Sequence, residues 1–338
     1  MEQLIDKKRN YSLDLLKLVS SFMVVCIHFR TYGVLGEMSI ILARFAVPVF
    51  FMVSGYYAYS DNCIRIKRKI SNIVRLYVYA LVLYFCFNIA VKLLSGQGRE
   101  AIWYVSTYLR IRYVAPAVLF NESITAMHLW FFGALIYSYV LRYFAVKFKV
   151  KDNILLVISC LLLMVHLALG IGLFAIGVEL PAFLQKNYII RNFLFMGFPL
   201  FSIGGYIRKK EEALLCRFSG KLVFLFIVLG VSEIFFVHGI DWTKDLYIGS
   251  LLLSFALFVL ALKMKDKSYN PRLISIFYTS TDVYLIHVMI GEILSRTVLD
   301  NMMWYLYLKP VIIFAVSVVL SLLMNKIIYY KMKKALLK

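Results

Sequence analysis

The chain has 338 residues, of which 62% are hydrophobic and only 17% are charged. A soluble domain usually carries about 25% charged residues, so this composition argues against an ordinary soluble enzyme and predicts an integral membrane protein. The formal net charge of +20 could also indicate a nucleic-acid partner, and the positions of the charges decide between the two.

Long apolar runs, near the ~20 residues needed to cross a bilayer, recur along the chain. They do not alternate apolar and polar residues, which argues against strands. We therefore predict an all-α, polytopic membrane fold with about ten transmembrane helices. Because no Gly/Ser- or Pro-rich linker divides the chain, 1–338 is expected to form a single transmembrane domain. The approximate spans are 12–30, 38–59, 73–95, 128–146, 153–176, 190–207, 219–238, 245–262, 273–295 and 304–325.

The basic residues set the predicted topology. If the N-terminus lies inside, both termini are cytoplasmic, and 25 of the 38 Lys and Arg residues fall on inside segments against 10 outside. Cytoplasmic loops collect Lys and Arg, so the excess charge is mostly topological and suits anionic lipid headgroups. A nucleic-acid partner is not expected. The 5 cysteines lack any CxxC pairing, so neither a disulfide framework nor a metal site is expected.

The first predicted helix carries ionisable residues within an oily stretch, SLDLLKLVSSFMVVCIHF at 12–29. At about 100° per residue, Asp14, Lys17, Ser21 and His28 fall within about 60° of one another and form one polar face. Ionisable residues inside a membrane are costly and usually face a cavity or a partner. A simpler alternative is an interfacial Asp14–Lys17 pair with a core histidine. For the full set of four residues we favour a functional role over this structural one.

Lys17 and His28 lie ~16 Å apart along the helix axis. Lys17, near the cytoplasmic end, could hold an anionic donor. His28, further out, could act as general base on an acceptor hydroxyl, because a histidine pKa of ~6.5 suits both protonation states near neutral pH. Asp14 and Ser21 would orient these groups, although Asp14 could merely start the helix.

Two further segments invite more than one interpretation. The longest interruption, 96–127, is placed outside and is rich in Trp, Tyr and Arg. It is either an interfacial segment or a cap over an external site. In the second helix, Arg44 could bind an acceptor or stabilise an oxyanion, or pair with Glu233 or Glu292. Pro48 is expected to kink this helix, and the small residues of SGY (54–56) to allow close helix contact.

Four short motifs, in order, resemble those of the membrane acyltransferase-3 family. In the first, Lys17 and His28 fit a basic residue, ten residues and then histidine. One departure concerns the family's R-x-x-R motif before the third helix: Asn72 stands where its first Arg is expected, so Arg75 is a better match than Arg68. The matching stretches are LDLLKLVSSFMVVCIHF (13–29), ARFAVPVFFMVSGYYAY (43–59), MHLWFFGALIYSYVL (127–141) and VYLIHVMI (283–290).

The resemblance implies an enzyme of the cytoplasmic (inner) membrane that transfers an acyl group, commonly acetyl, from a CoA thioester to a glycan hydroxyl. Acetyl-CoA would be a co-substrate, with no bound cofactor and no metal. The acceptor would be a surface polysaccharide or a lipid-linked sugar. Some family members carry an added esterase-like or racemase domain, and this chain is expected to act without one. The implied roles are general base for His28, acyl-CoA binding for Lys17, Arg75 and Arg68, and acceptor or transition-state contact for Arg44, His128, Trp130, Tyr284 and His287.

Other function classes stay open. A transporter or flippase would use the polar face as a substrate or proton path. A glycan polymerase would carry arginines on a large external loop, for which 96–127 is a candidate. A purely structural subunit would leave the polar face unexplained. The sequence assigns neither the acyl group, the sugar, the side of modification, a covalent intermediate, nor the oligomeric state.

Overall fold

The computed structural model describes residues 10–336 except 109, 124, 174–175, 179–180, 182–186 and 239–243. Across these residues the ordered elements are helices and no strand occurs, which confirms the all-α prediction. The chain forms two compact units. Unit 1 comprises 1–50, 212–243 and 247–338, and unit 2 comprises 51–211 and 244–246.

The described residues form sixteen α-helices. Short 3-10 segments (Met127–Leu129, Val298–Asn301) and π-helical segments (Ala168–Gly172, Phe193–Gly197) adjoin some of them. In chain order the helices are α1 (Tyr11–His28), α2 (Val34–Ala43), α3 (Ala46–Ala58), α4 (Cys63–Leu94), α5 (Gly98–Tyr108), α6 (Ile111–Phe120), α7 (Trp130–Lys147), α8 (Asp152–Leu167), α9 (Asn187–Ile190), α10 (Phe198–Lys209), α11 (Glu211–Arg217), α12 (Gly220–His238), α13 (Ile248–Lys263), α14 (Pro271–Phe277), α15 (Ser280–Leu294) and α16 (Met303–Leu336).

Among the described residues, seven helical segments are long and apolar enough to cross a membrane, and an eighth follows if α14 and α15, bent by 56°, count as one span. Of the ten predicted segments, 190–207 corresponds to a π-helical turn followed by α10, and 245–262 to the 16-residue α13. A count of ten therefore stays a prediction. The seven are Tyr11–His28, Val34–Ala58, Cys63–Leu94, Met127–Lys147, Asp152–Gly172, Gly220–His238 and Met303–Lys326.

Helix α1 has clear start and stop signals. The side chain of Asn10 accepts a hydrogen bond from the Leu13 amide at 3.1 Å, which satisfies one of the amides left open at a helix N-terminus. Asp14 in the first turn suits the positive end of the helix dipole. The helix ends at His28, and the next amide, of Phe29, still donates to the Val25 carbonyl at 2.8 Å.

The second span is interrupted between α2 and α3, at Arg44 and Phe45. Pro48 explains the position of the break, because its ring would clash with the carbonyl four residues earlier, that of Arg44. Within the first turn of α3 its missing N–H costs little. The Phe45 carbonyl, just before α3, accepts the Val49 amide at 3.1 Å and also the Ser254 hydroxyl at 3.1 Å. The break agrees with the kink expected at Pro48.

In unit 1, the C-terminal half of α1 packs against α15 and α16. Val25, Val283, Ile290 and Ile313 form a buried apolar cluster there. Because side chains that pack at this cluster set the spacing of the three helices, the end of α1 is held against the middle of α15.

In unit 2, glycines allow α3 and α10 to approach closely. A Cβ on Gly55 would lie 1.8 Å from the Phe201 carbonyl oxygen, and a Cβ on Gly204 would lie 2.0 Å from that of Met52. Both distances are far below van der Waals contact, so only glycine fits. The expectation that SGY serves close packing is therefore supported by the geometry.

We expect Gly204→Ala to destabilise unit 2, because the new methyl would overlap a backbone oxygen that cannot move without separating the helices. Overpacking of this kind costs about 1–3 kcal/mol. The measurement is the apparent melting temperature of the protein in detergent. Gly205→Ala is the matched control, since its Cβ would meet its nearest neighbours at 3.6 and 3.7 Å. Equal melting temperatures for the two variants would contradict the close-crossing interpretation.

Candidate active site

The N-terminal half of the polar face in α1 contains an ion pair. Lys17 Nζ lies 2.7 Å from Asp14 Oδ1, within the same helix turn. The Asp14 side chain is 1% exposed, and that of Lys17 is 22% exposed. Asp14 is thus buried against its partner, while the lysine side chain stays partly exposed.

The rest of the polar face changes character along α1. Ser21 is fully buried, and its hydroxyl donates to the Leu18 carbonyl of the same helix at 2.7 Å. Its described contact is therefore with its own helix, and an orienting role for Ser21 stays a prediction. His28 is exposed because α1 ends there. The face is buried at Asp14 and Ser21 but open at His28, where the sequence had suggested a uniformly buried face.

His28 meets His287, a residue from the late motif, within unit 1. Their ring centroids are 5.4 Å apart, with ring planes inclined by 47°. His287 is fully buried in the middle of α15, and its ring centroid lies 6.0 Å from that of Tyr284. Tyr284 also contacts the ring of Phe50, at 5.9 Å. The structure thus brings three residues of the predicted site together: His28, Tyr284 and His287.

A glycine makes room for the end of α1 beside this pair. A Cβ on Gly291 would lie 2.0 Å from the Phe29 ring, so that ring occupies the space a side chain would fill. The Phe29 ring also meets His287 edge-on, at 6.4 Å between centroids. Phe29 and Gly291 therefore position the residue next to His28 along the chain.

Arg44 lies at the end of α2, half-buried. The two carboxylates considered as its partners have other contacts. Glu233 accepts the Gly249 amide at 2.5 Å, and Glu292 pairs with Arg296 at 2.6 Å. A role for Arg44 in acceptor binding or oxyanion stabilisation stays a prediction.

In unit 2, Arg68 and Arg75 lie in the N-terminal half of α4, and both are exposed. Seven residues separate them, or about two helical turns, so they share one side of the helix. With 32 residues, α4 is ~48 Å long, well beyond the ~30 Å hydrocarbon core. Its basic N-terminal end can therefore extend out of the membrane.

His128 and Trp130 are both buried in unit 2, with 2% and 7% exposure. The His128 ring meets that of Tyr84 edge-on at 5.0 Å. The Arg191 guanidinium lies 5.4 Å from the centre of the Trp130 ring and also pairs with Asp245 at 3.4 Å. Trp130 is thus packed against a cation, and its role as an acceptor or transition-state contact stays a prediction. Contact with a sugar would require Arg191 to move.

Sequence reasoning missed a polar triad in unit 2, in which Tyr56 and Glu211 are buried and the Arg208 side chain is 38% exposed. The Tyr56 hydroxyl donates to Glu211 Oε2 at 2.7 Å and accepts from Arg208 at 2.9 Å, while Arg208 also donates to Glu211 at 2.7 Å. The signal was weak, because Tyr56 was read only as part of SGY and Arg208 only as a basic loop residue. This triad ties the end of α3 to the junction of α10 and α11.

A second network surrounds an open cleft of about 560 Å³ in unit 2. Arg142 and Lys209 bind the two oxygens of Asp152, at 2.7 and 2.6 Å. The hydrogen bond to Asp152 raises the pKa of Lys209. Lys149 and Lys151 line the same cleft. Arg142 had been counted only as a topological charge, whereas it is buried and holds the start of α8.

The predicted external segment 96–127 contains α5 and α6. Tyr104 stacks on Phe85 of α4 at 5.8 Å and meets Tyr108 at 4.6 Å. The Asn88 amide donates to the Tyr104 hydroxyl at 2.6 Å. The aromatic side chains of this segment are therefore partly used in packing on α4, and either role suggested by the sequence stays a prediction.

Comparison with known proteins gives a partial match to a curated protein and a match to a family model that spans nearly the whole chain. A curated amino-acid racemase of Enterococcus faecalis is 28% identical over 149 residues, which are 40% of this chain and 19% of the racemase. The chain thus spans under a fifth of that protein's length. No solved structure gives a significant match. A family model described as an acyltransferase domain matches residues 10–330. The protein therefore belongs to the acyltransferase-3 family.

Proposed function

We propose that the protein is a multi-pass O-acyltransferase of the cytoplasmic membrane that moves an acyl group, with acetyl as the first candidate, from acyl-CoA to a glycan hydroxyl. The family match supports acyl transfer in general. The observation that carries the finer proposal is the polar face of α1, where an ion-paired Lys17 and an exposed His28 occupy the positions of the family motif.

The orientation that we propose places both termini in the cytoplasm, with ten crossings. Its support is the distribution of Lys and Arg, because 25 of 38 lie on inside segments. Arg68 and Arg75, on the first half of α4, would then lie toward the cytoplasm, whereas His28, at the end of α1, would lie toward the outer side.

Acyl-CoA is the donor that best fits this arrangement, because it is a cytoplasmic polyanion with its thioester at the end of a long, extended arm. Lys17, partly open beside Asp14, would bind the donor near the inner end of α1. Arg75 and Arg68, exposed on one side of α4, would bind phosphate oxygens. No position of a bound donor is implied beyond these contacts.

The proposed chemistry uses His28 as general base. It takes the proton of the acceptor hydroxyl while the hydroxyl oxygen bonds to the thioester carbonyl carbon. The carbon–sulfur bond then breaks, and the departing sulfur receives the proton from His28. The products are an O-acyl ester and free CoA. A positioned general base contributes about 10²–10⁴ in rate.

For the acceptor we propose a surface polysaccharide or a lipid-linked sugar. Tyr284 and His287 are the candidates near His28 in unit 1, because His287 contacts His28 and Tyr284 contacts His287. Both are buried, so they would reach an acceptor only if their surroundings opened on binding. Arg44 would serve as a second contact or stabilise the oxyanion. His128 and Trp130, both buried, would act only if their neighbours rearranged on binding.

The experiment that tests the function uses purified protein in lipid, labelled acetyl-CoA and a cell-envelope glycan extract. We expect transfer of label to glycan, and His28→Ala should reduce it by about 100-fold or more, as loss of a general base does. His166→Ala is a matched control, since this histidine matches no family motif. Transfer that survives His28→Ala unchanged would remove His28 as the base.

Lys17→Ala should weaken acyl-CoA binding by about tenfold or more, because a charge-assisted hydrogen bond is worth ~1.5–3 kcal/mol. The measurement is the dissociation constant of CoA by calorimetry. Lys92→Ala is the control: Lys92 is also paired with a carboxylate, Glu100 at 3.3 Å, but at the far end of α4. Equal dissociation constants for the parent protein, Lys17→Ala and Lys92→Ala would remove Lys17 from the donor site.

The orientation is tested by cysteine labelling in a variant without the 5 native cysteines. A cysteine introduced by Glu122→Cys should react with an impermeant reagent added from outside, and one introduced by Lys151→Cys should not. Both positions are exposed on the protein, so a difference in labelling would report the side of the membrane and not burial within the protein. The reverse labelling pattern would invert the topology.

A further inference from the structure

The contact between His28 and His287 allows an assignment of hydrogen positions. The Nδ1 atom of His287 lies 3.0 Å from the Val283 carbonyl oxygen and 2.9 Å from that of Tyr284. A carbonyl oxygen only accepts hydrogen bonds, so Nδ1 must carry the proton and donate. In the neutral ring Nε2 is then an acceptor.

The neutral ring is the form that its surroundings favour. The His287 side chain is fully buried. Val283 and Ile290, on the same helix, belong to the apolar cluster of unit 1. A cation buried in such surroundings is costly unless a counter-charge accompanies it. The described contacts of Nδ1 are backbone carbonyls of α15, which fix the ring orientation as well as its tautomer.

His28 is close enough to use this acceptor. The structure shows no hydrogen bond between His28 and His287 Nε2. With centroids 5.4 Å apart, a turn of the exposed His28 ring can bring one of its nitrogens within the 2.7–3.2 Å range of an N–H hydrogen bond to that atom. Phe29 in the space above Gly291 fixes the end of α1 beside α15. The end of α1 is thus held where His28 can reach His287.

We propose that His287 is a positioning residue that sets the tautomer of His28: its Nε2 accepts the N–H of His28, so the other nitrogen of His28 keeps its lone pair and faces the acceptor hydroxyl. This rests on the proposed function, in which His28 is the base. A histidine base works only when the nitrogen aimed at the reacting proton is unprotonated, and a partner on the second nitrogen secures that state.

Two substitutions of His287 separate positioning from a structural role. His287→Asn places an N–H near the former Nδ1, so the bond to the α15 backbone can persist while the acceptor is lost. His287→Gln can place an oxygen near the former Nε2 and loses the Nδ1 donor. Positioning predicts that Gln retains more activity than Asn, whereas a structural role predicts the opposite order.

The kinetic readout is transfer of label from acetyl-CoA to glycan. We expect His287→Asn to lower kcat by about 10- to 100-fold with the KM for acetyl-CoA unchanged, and His287→Gln to lower kcat by a smaller factor than Asn does. Activity of the Asn variant equal to or above that of the Gln variant, at equal melting temperature, would overturn the proposal.

A second readout needs neither activity nor a His287 variant. In bilayers, nitrogen-15 NMR of labelled histidine reports which ring nitrogen carries the proton, and loss of one signal in His28→Gln assigns His28. We expect a single tautomer for each: Nδ1–H for His287, and one form for His28. An Nε2-protonated His287, or a mixture of forms at His28, would overturn the proposal. Failure of acyl transfer alone would instead affect only the proposed function.

Discussion

A charge in a membrane-spanning helix must be paired or must reach water, and α1 satisfies both conditions for the same few side chains. Asp14 is buried but 2.7 Å from Lys17, which stays partly open. Each charge neutralises the other within one turn, at far lower cost than an isolated charge in lipid. Because the pair sits beside the N-cap at Asn10, the helix end, its dipole and the ion pair stabilise one another. Because the Lys17 side chain is partly exposed, this turn is suited to binding an anionic donor.

The opposite end of α1 follows from packing. Val25 belongs to the cluster with α15 and α16, and Phe29 fills the space that Gly291 leaves. These contacts bring His28 to the ring of His287, which the backbone of α15 already orients. In the proposed function, donor binding at Lys17 and proton transfer at His28 would be separated by ~16 Å of a single helix, which fits a donor whose phosphates and thioester lie far apart.

Local features were predictable from the sequence, and long-range pairings were not. The helices follow from runs of apolar residues, the Asp14–Lys17 pair follows from a spacing of three, and the break before Pro48 follows from proline sterics. The contact of His28 with His287 and the Tyr56–Arg208–Glu211 triad join segments far apart in the chain, and no periodicity encodes such pairs. Trp130 shows the same limit, because nothing in its motif indicates that Arg191, 61 residues later in the chain, lies over its ring. The segments 190–207 and 245–262 show a second limit of the sequence-based prediction. Their apolar composition did not determine how much of each segment forms a continuous α-helix.

The most direct test of the account is the side of the membrane from which the donor acts. Proteoliposomes with a single protein orientation, established by cysteine labelling, would receive labelled acetyl-CoA on one side at a time with an envelope glycan extract on both. The account predicts transfer when acetyl-CoA is on the side of the α1 N-terminus, where Lys17 lies, and loss of that transfer in Lys17→Ala at low donor concentration. Transfer that depends on acetyl-CoA at the His28 end alone would contradict it.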